Sequence, residues 1–142
     1  MILVDANLLI YAVNRDAPDH RAARRWLEGL LSGPNHVGLA WVVVLAFLRI
    51  TTRPGILPAP LSIDQASTYV DEWLAQPMVE MVAPGEAHWR LRNLLLSAGT
   101  LGNLTSDAHL AAIALETGAE IHSADYDFQR FPGIRHFNPL AA

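Results

Sequence analysis

The amino-acid sequence predicts an α/β protein with a short parallel sheet of four or five strands flanked by helices. Apolar runs of strand length alternate with helical segments along the chain. This alternation is typical of parallel strands, because each crossover between them needs a connecting helix. The 142 residues contain no internal repeat, low-complexity tract or linker-like segment. We therefore expect one domain over residues 1–142.

The first half of the chain is expected to hold two strands and three helices. Residues 2–5 form an apolar strand, and a short helix follows through Ala12. The second helix begins at Asp19 or His20 and ends at the turn formed by residues 32–34. Residues 36–39 form the next strand. Trp41–Thr52 is a nearly all-apolar segment, so we expect a helix that is buried on most sides.

The second half continues the alternation of strands and helices. Ser62 and Gln65 form a capping box at the start of a helix that runs through residue 74, and Val79–Val82 forms a strand. Residues 86–98 form a helix that ends at Gly99, a residue type favoured after a helix. Residues 102–103 form a loop before a helix whose expected N-cap is residue 105 or 106. The last strands are residues 120–123 and 135–137.

Composition limits the classes of protein to which this chain can belong. Hydrophobic residues make up 51% of the chain and charged residues only 17%, against about 25% in an average soluble domain. The chain lacks an uninterrupted apolar run of about 18 residues and a basic N-terminal leader, so we expect neither a membrane span nor a secretory signal. Cysteine is absent, which excludes disulfides and thiolate chemistry. The expected compartment is the cytoplasm.

The basic residues are all arginines, and the net charge is −4. This balance is not typical of a nucleic-acid-binding domain. An arginine that reaches a phosphate nevertheless offers a bidentate pair of donors that lysine lacks. Most arginine groups are solvated helix faces. Both interpretations stay open for Arg21, Arg24 and Arg25, for Arg49 and Arg53, and for Arg90 and Arg92.

Four aspartates lie where a strand ends or a helix begins: Asp5, Asp107, Asp125 and Asp127. Each alone has an ordinary explanation, because aspartate is a common helix cap and turn residue. Their joint placement is more informative, since ligands of parallel α/β sheets collect at the carboxyl ends of strands and at helix N-termini. Carboxylates that face one another need a cation to offset their repulsion. The pattern predicts a site for Mg²⁺ or Mn²⁺.

Spacing decides which other residues can join this site. Asp125 and Asp127 point to one side if their segment is extended. His109 lies about 200° around its helix from Asp107, and Glu116 lies about 13.5 Å further along on the opposite face, so both are excluded. The six histidines lack the paired spacing of a zinc site. The motifs of nucleotide cofactors and serine hydrolases are absent.

Several segments resemble PIN-domain nucleases of the VapC toxin branch. They are residues 4–12 (VDANLLIYA), 103–111 (NLTSDAHLA), 123–128 (SADYDF), 130–133 (RFPG) and 138–140 (NPL). Residues 41–49 are similar to the central helix of that branch. The segments occur in the expected order over essentially the whole chain, so the set is more specific than any one motif.

The resemblance implies a Mg²⁺-dependent endoribonuclease toxin that hydrolyses phosphodiester bonds of tRNA or ribosomal RNA. It implies products with 5′-phosphate and 3′-hydroxyl ends. It also implies a homodimer and a VapB-like antitoxin that lies in a groove beside the acidic site. Asp5, Asp107 and Asp125 take the places of the metal-site acids, and Asp127 is expected to support catalysis. Mn²⁺ is the expected substitute for Mg²⁺.

Residue 46 departs from the family pattern. Many PIN nucleases carry a glutamate on the central helix, and the resemblance places Ala46 at that position, which puts a second metal ion in doubt. Arg49 lies one helical turn further, where it could meet an RNA phosphate or be a buried structural arginine. Ser123 takes the place of a small hydroxyl residue, and Ser123 and Asn7 are further candidates for phosphate or RNA contact.

Two rival functions remain open. A non-catalytic PIN module that binds RNA or a protein partner is favoured by Ala46 and opposed by the retention of the four acids. A metal-dependent phosphatase of small molecules would need an Asp-x-Asp after the first strand, where this chain has Asn7. Tryptophans in three predicted helices are either core residues or part of an interface with a partner: Trp41, Trp73 and Trp89.

Overall fold

Over the residues that the structure describes, the fold is a parallel sheet flanked by six α-helices, as the sequence predicts. It is given by a computed structural model that describes residues 1–99 and 104–141. The strands are β1 (Ile2–Val4), β2 (Val37–Ala40), β3 (Val79–Val82), β4 (Glu120–His122) and β5 (His136–Phe137). The helices are α1 (Ala6–Val13), α2 (His20–Leu31), α3 (Trp41–Thr52), α4 (Ile63–Leu74), α5 (Leu91–Ala98) and α6 (Thr105–Thr117).

The strand order places the ends of β1 and β4 next to each other. The five strands lie in the order β3-β2-β1-β4-β5, and each neighbouring pair is parallel. In the pairing of β1 with β4, Val4 is the partner of His122. The segments that follow these two strands therefore leave the sheet side by side. This is the topological switch point, where parallel α/β sheets bind their ligands.

Tight packing around β2 holds the central strands together. Leu3 of β1 and Phe47 of α3 are fully buried, and each such side chain contributes roughly 1.5–3 kcal/mol by leaving water. The Phe47 ring meets the edge of Trp73 at a centroid distance of 4.9 Å. Gly38 of β2 is required at its position, because a Cβ there would lie 2.6 Å from the side chain of Val82.

Local sequence signals account for several helix ends. The predicted capping box is confirmed: the Ser62 hydroxyl accepts from the Gln65 N–H at 3.1 Å, and the Gln65 side chain accepts from the Ser62 N–H at 2.9 Å. Gly99 follows α5 with a φ of 71°, a left-handed conformation that glycine adopts without strain. The predicted end of that helix is therefore confirmed as well.

Two predicted helix starts were wrong. Residues 86–98 do not form one helix, because a 3-10 helix, His88–Arg90, precedes α5. The Glu116 carboxylate of α6 binds the His88 ring, a tertiary contact that local sequence does not reveal. At the start of α6, Leu104 is the N-cap and makes no side-chain cap hydrogen bond, so the predicted hydroxyl cap is absent. The predicted loop at residues 102–103 lies outside the described residues.

The apolar helix α3 is buried on one side only, contrary to prediction. Trp41 and Leu45 are 57% and 55% exposed, because the neighbours of α3, namely α1, α4 and β2, leave its outer face uncovered. The residues that it buries are Val43, Val44, Phe47 and Thr51. The helix has 12 residues. None of the helices in the described ranges is long and apolar enough to cross a membrane.

Candidate metal centre

Asp5 connects the end of β1 to the start of α1. It is the N-cap of α1, and its Oδ1 accepts a hydrogen bond from the Ala6 N–H at 2.8 Å. Its Oδ2 accepts a second hydrogen bond, from the Ser123 hydroxyl at 2.7 Å. The side chain therefore caps a helix and also links the two strand ends that meet at the switch point. Both interpretations of this aspartate, as a cap and as a site residue, are compatible with its geometry.

Ser123 and Asn7 fix the relative position of the β1 and β4 ends. The Ser123 hydroxyl donates to Asp5 and accepts from Asn7 Nδ2 at 3.1 Å and from the Asp125 N–H at 2.9 Å. Its hydrogen-bonding capacity is thereby filled, and the residue is fully buried. Asn7 Oδ1 accepts from the Ala124 N–H at 3.3 Å. These contacts orient the carboxylates and leave the buried hydroxyl no free hydrogen-bonding position for a phosphate.

The carboxylates of Asp107, Asp125 and Asp127 converge. One oxygen from each lies within 4.8 Å of one oxygen from the other two. Asp125 caps a second 3-10 helix, Tyr126–Arg130, and its Oδ1 accepts from the Asp127 N–H at 2.9 Å. The condition of an extended segment is therefore not met here, because the chain turns into a 3-10 helix after Asp125. We refer to Asp107, Asp125 and Asp127 as the acidic cluster.

Burial and mutual repulsion disfavour the charge of the acids. The pKa of Asp107 is raised to about 7, first by burial and then by the negative charges of Asp5, Asp125 and Asp127. Burial also raises the pKa of Asp5; hydrogen bonds from Ser123 and Ala6 oppose the shift and the charge of Asp125 adds to it. The electrostatic coupling links Asp5 to the acidic cluster.

The side chains present fit a divalent cation. Carboxylate oxygens are the ligands that hard divalent ions prefer, and the three oxygens of the acidic cluster are close enough to share one ion. The positive charge available from the protein is small. Arg130 Nη1 lies 4.0 Å from Asp127 Oδ1, and both side chains are nearly half exposed, so this ion pair is weak. A bound cation would relieve the repulsion that raises the pKa of Asp107.

A small cavity connects α3 to the acids. Its volume is about 170 Å³, and its walls include Asp5, Asp107, Ser106, Ala46 and Arg49. The side chain at position 46 therefore faces the same space as two of the carboxylates. Arg49 is exposed, so it is not a buried structural arginine. Its position at the cavity leaves its guanidinium group available to an anion.

Sequence reasoning missed His136 of β5. Its Nε2–H donates to the Ser123 carbonyl oxygen at 2.9 Å, and its positive form lowers the pKa of Asp5. The residue lies in the weakest predicted strand, and no motif in the sequence singled it out. Only the pairing of β5 with β4 brings it to the site.

Comparison with known proteins identifies the family of the chain. The PIN domain family model matches residues 2–134. Ribonuclease VapC37 of Mycobacterium tuberculosis is 48% identical over 142 residues, which cover 99% of each chain. Ribonuclease VapC33 of the same species is 43% identical over 141 residues, again 99% of each chain.

Solved structures agree on the fold. VapBC2 from Rickettsia felis, bound to a promoter DNA fragment, matches with a TM-score of 0.69 at 21% identity over 97% of this chain and 98% of that chain. Mycobacterium tuberculosis VapC20, a toxin that cleaves the sarcin–ricin loop, matches with a TM-score of 0.69 at 17% identity over 95% and 99% of the two chains. Together with the sequence matches, these similarities show that the chain belongs to the VapC ribonucleases of the PIN domain family.

Proposed function

We propose that this protein is a metal-dependent endoribonuclease toxin that hydrolyses phosphodiester bonds in tRNA or ribosomal RNA. The observation that carries the proposal is the acidic cluster at the switch point, with the pKa of Asp107 raised to about 7. Relatives up to 48% identical over the full chain are ribonucleases, which supports the same chemistry. We infer Mg²⁺ as the cofactor, with Mn²⁺ as a substitute, because the donors are carboxylate oxygens.

The proposed roles of the acids follow from their surroundings. Asp107, Asp125 and Asp127 would hold the cation, together with Asp5, which shares their electrostatic environment. When bound, the ion would lower the pKa of a water molecule and offset negative charge on the scissile phosphate. Of Asp125 and Asp127, the one that is not fully used as a ligand would accept the water proton. The water oxygen would join phosphorus as the bond to the 3′ oxygen breaks, and the departing oxygen would take up a proton from solvent, which leaves 5′-phosphate and 3′-hydroxyl ends.

Other residues at the site bind the RNA or hold the acids in position. Arg49 is exposed at the cavity beside Asp107 and contacts a phosphate of the RNA. Ser123 and Asn7 act as positioning residues, since their side chains hold Asp5 and the chain before Asp125.

The proposed partners follow from the family. VapC20 is a toxin, and a toxin–antitoxin complex from Klebsiella pneumoniae matches the fold with a TM-score of 0.62 at 17% identity. We infer that a VapB-like antitoxin neutralises this protein in the cytoplasm, and that the toxin is a homodimer. A basic side chain of the antitoxin would be attracted to the acidic cluster in place of the cation.

The alternative is a non-catalytic PIN module that binds RNA or a protein partner. Ala46 favours it, because this residue faces the cavity beside Asp107 without supplying a carboxylate. The convergence of the acidic cluster favours an active enzyme, because three uncompensated carboxylates destabilise a protein that does not use them.

Cleavage of total cellular RNA with Mg²⁺, with Mn²⁺ or with EDTA tests the two functions. We expect fragments with 5′-phosphate ends when either metal is added and none with EDTA. Asp107→Asn should abolish cleavage, whereas the matched control Asp71→Asn, an exposed aspartate in α4, should retain it. Metal-independent cleavage, or equal activity of Asp107→Asn, would refute the proposed mechanism. Binding of RNA without any cleavage would support the alternative.

A further inference from the structure

We propose that Trp89, Arg90 and Arg92 form a platform on which a base of the RNA substrate stacks while adjacent phosphates contact the two guanidinium groups. We call these three residues the stacking platform. The inference rests on the proposed ribonuclease function and adds a place where the RNA strand binds outside the acidic cluster.

Trp89 presents a free aromatic surface. Its side chain is 70% exposed, whereas Trp73 is 7% exposed in the core. An exposed indole gains little from the hydrophobic effect within the monomer. Proteins that bind single-stranded nucleic acid stack bases on such rings, and each stacked base contributes about 1–3 kcal/mol.

The charges around Trp89 suit a phosphate backbone. Arg90 and Arg92 line the same surface depression as Trp89, with a volume of about 340 Å³. Both arginines are exposed. Within residues 1–99 and 104–141, neither has a carboxylate oxygen within the 4.0 Å of an ion pair. The depression also contains Glu86, Ala87 and Asn93, so two positive charges face one negative charge. An RNA strand complements this combination of aromatic ring and arginines.

A hydrogen-bonded network fixes the platform to the helix that carries Asp107. His88, which precedes Trp89, donates from Nδ1 to Glu116 Oε1 at 2.8 Å, and its Nε2 lies 2.7 Å from His109 Nδ1. Glu116 and His109 both belong to α6. The chain next to Trp89 is therefore anchored before RNA binds, which lowers the entropy that binding must overcome.

The same network sets the distance between the platform and the acidic cluster. His109 follows Asp107 by two residues, which is about 3 Å along the axis of α6. The platform lies on the other side of this helix, whose diameter with side chains is about 10–12 Å. A single RNA strand can therefore place one phosphate at the acids and a base a few nucleotides away on Trp89.

Binding of a labelled single-stranded RNA tests the platform without relying on cleavage. We would measure fluorescence anisotropy with an RNA of about 12 nucleotides in EDTA. Trp89→Ala should weaken binding about tenfold, and Trp89→Phe should bind within about threefold of the wild type, because phenylalanine still stacks. The control is Ile63→Ala, which removes another exposed apolar side chain, 58% exposed at the start of α4, and should bind RNA as the wild type does.

Salt dependence tests the two arginines separately from folding. Arg92→Ala should lower the slope of log affinity against log salt concentration by about 0.7, the value for one lost phosphate contact on a single strand. Glu86→Gln should tighten binding, because it removes the negative charge in the depression. A merely structural role of Arg92 would leave the slope unchanged.

The outcomes separate this inference from the proposed function. If the wild type cleaves RNA and Trp89→Ala binds RNA equally well, the stacking platform is wrong and the ribonuclease function stands. If the wild type neither binds nor cleaves RNA, both are wrong. If Trp89→Ala changes self-association or antitoxin binding but not RNA affinity, the surface is a protein interface and the inference is overturned.

Discussion

The folded structure disfavours the negative charge of Asp107. Burial and three neighbouring aspartates raise its pKa to about 7. An asparagine of nearly the same shape would avoid this repulsion. A carboxylate here is explained if it is a ligand, because a bound cation compensates its unfavourable charge. In the metal-free protein the same charge lowers stability, as is common at functional sites.

The raised pKa of Asp107 predicts an unusual pH dependence for the metal-free protein. In the unfolded chain the carboxyl loses its proton near pH 3.9, but in the folded protein it keeps the proton up to about pH 7. Between these values the folded state binds more protons, so the free energy of unfolding falls as the pH rises. Divalent-cation affinity should rise over the same range, because the ligand must be deprotonated.

Thermal unfolding in EDTA at several pH values measures this effect. Asp107→Asn should be more stable than the wild type above about pH 7, by roughly 1 kcal/mol once solvent screening of the partly exposed carboxyl is allowed for. The difference should shrink as the pH falls towards about 4. Asp71→Asn, in which an exposed helical carboxylate is replaced, should show no such trend. A constant difference between Asp107→Asn and the wild type across the whole range would contradict the prediction.

Position 46 allows a test of whether the site tolerates another carboxylate. Ala46 faces the cavity that contains Asp5 and Asp107, so a glutamate there would point towards the acids. We expect Ala46→Glu to tighten Mn²⁺ binding or to raise cleavage, and to destabilise the metal-free protein by added repulsion. Ala22→Glu, at an exposed alanine of α2, controls for the added charge. If Ala46→Glu only loses stability, the protein functions without that ligand.

The sequence pointed to the acids as candidates but not to how they are held. Asp5 and Asp107 could be selected because each stands at a strand end or helix start, and such positions converge in any parallel sheet. Ser123 was a candidate for RNA contact, but the hydrogen bonds by which its buried hydroxyl joins Asp5 to the Asp125 backbone could not be predicted. Its role depends on the pairing of β1 with β4, which involves residues more than a hundred positions apart.

At the scale of elements, the predictions succeeded where local signals determine the structure. The capping box before α4 and Gly99 after α5 follow from nearby residues alone. The prediction of a single helix over residues 86–98 failed because Glu116 of α6 holds His88 in a 3-10 helix. The burial of α3 was overestimated, because an apolar sequence does not reveal which side its neighbours leave open.

The contact between α6 and the 3-10 helix gives a prediction for stability. Glu116 accepts from both His88 and the Gly85 N–H at 2.8 Å. Glu116→Gln should lower the free energy of unfolding by about 1–2 kcal/mol, because it weakens charge-assisted hydrogen bonds. Glu80→Gln, at an exposed position of β3, is the control. Urea denaturation would measure the change, and equal midpoints for Glu116→Gln and the wild type would show that the contact does not stabilise the fold.

Acid should weaken the contact between α6 and the 3-10 helix His88–Arg90, in which His109 takes part. Burial, followed by the nearby His88, lowers the pKa of His109. The unfolded chain then takes up a proton on this histidine more readily than the folded protein does. The free energy of unfolding should therefore decrease as the pH falls below about 6.5.

At the scale of the whole molecule, the surface carries large apolar side chains that the core does not cover. Trp73 belongs to the core, but Trp41 and Leu45 are 57% and 55% exposed one turn apart on α3. Only 17% of the residues of the chain are charged. Aromatic residues on a sparsely charged surface are typical of an interface between proteins.

We therefore predict that the isolated protein sediments as a dimer at micromolar concentration, with twice the 15.6 kDa mass of the chain. The physical reason is that self-association would remove exposed apolar surface from water, at about 25 cal/mol for each Å². Sedimentation velocity over a dilution series measures the state, and addition of the product of the neighbouring gene tests for an antitoxin. The dimer should persist at high salt, because apolar contacts are not screened. A strictly monomeric protein that also fails to bind its genomic neighbour's product would refute the toxin–antitoxin assignment, whereas the acidic cluster would still support a nuclease.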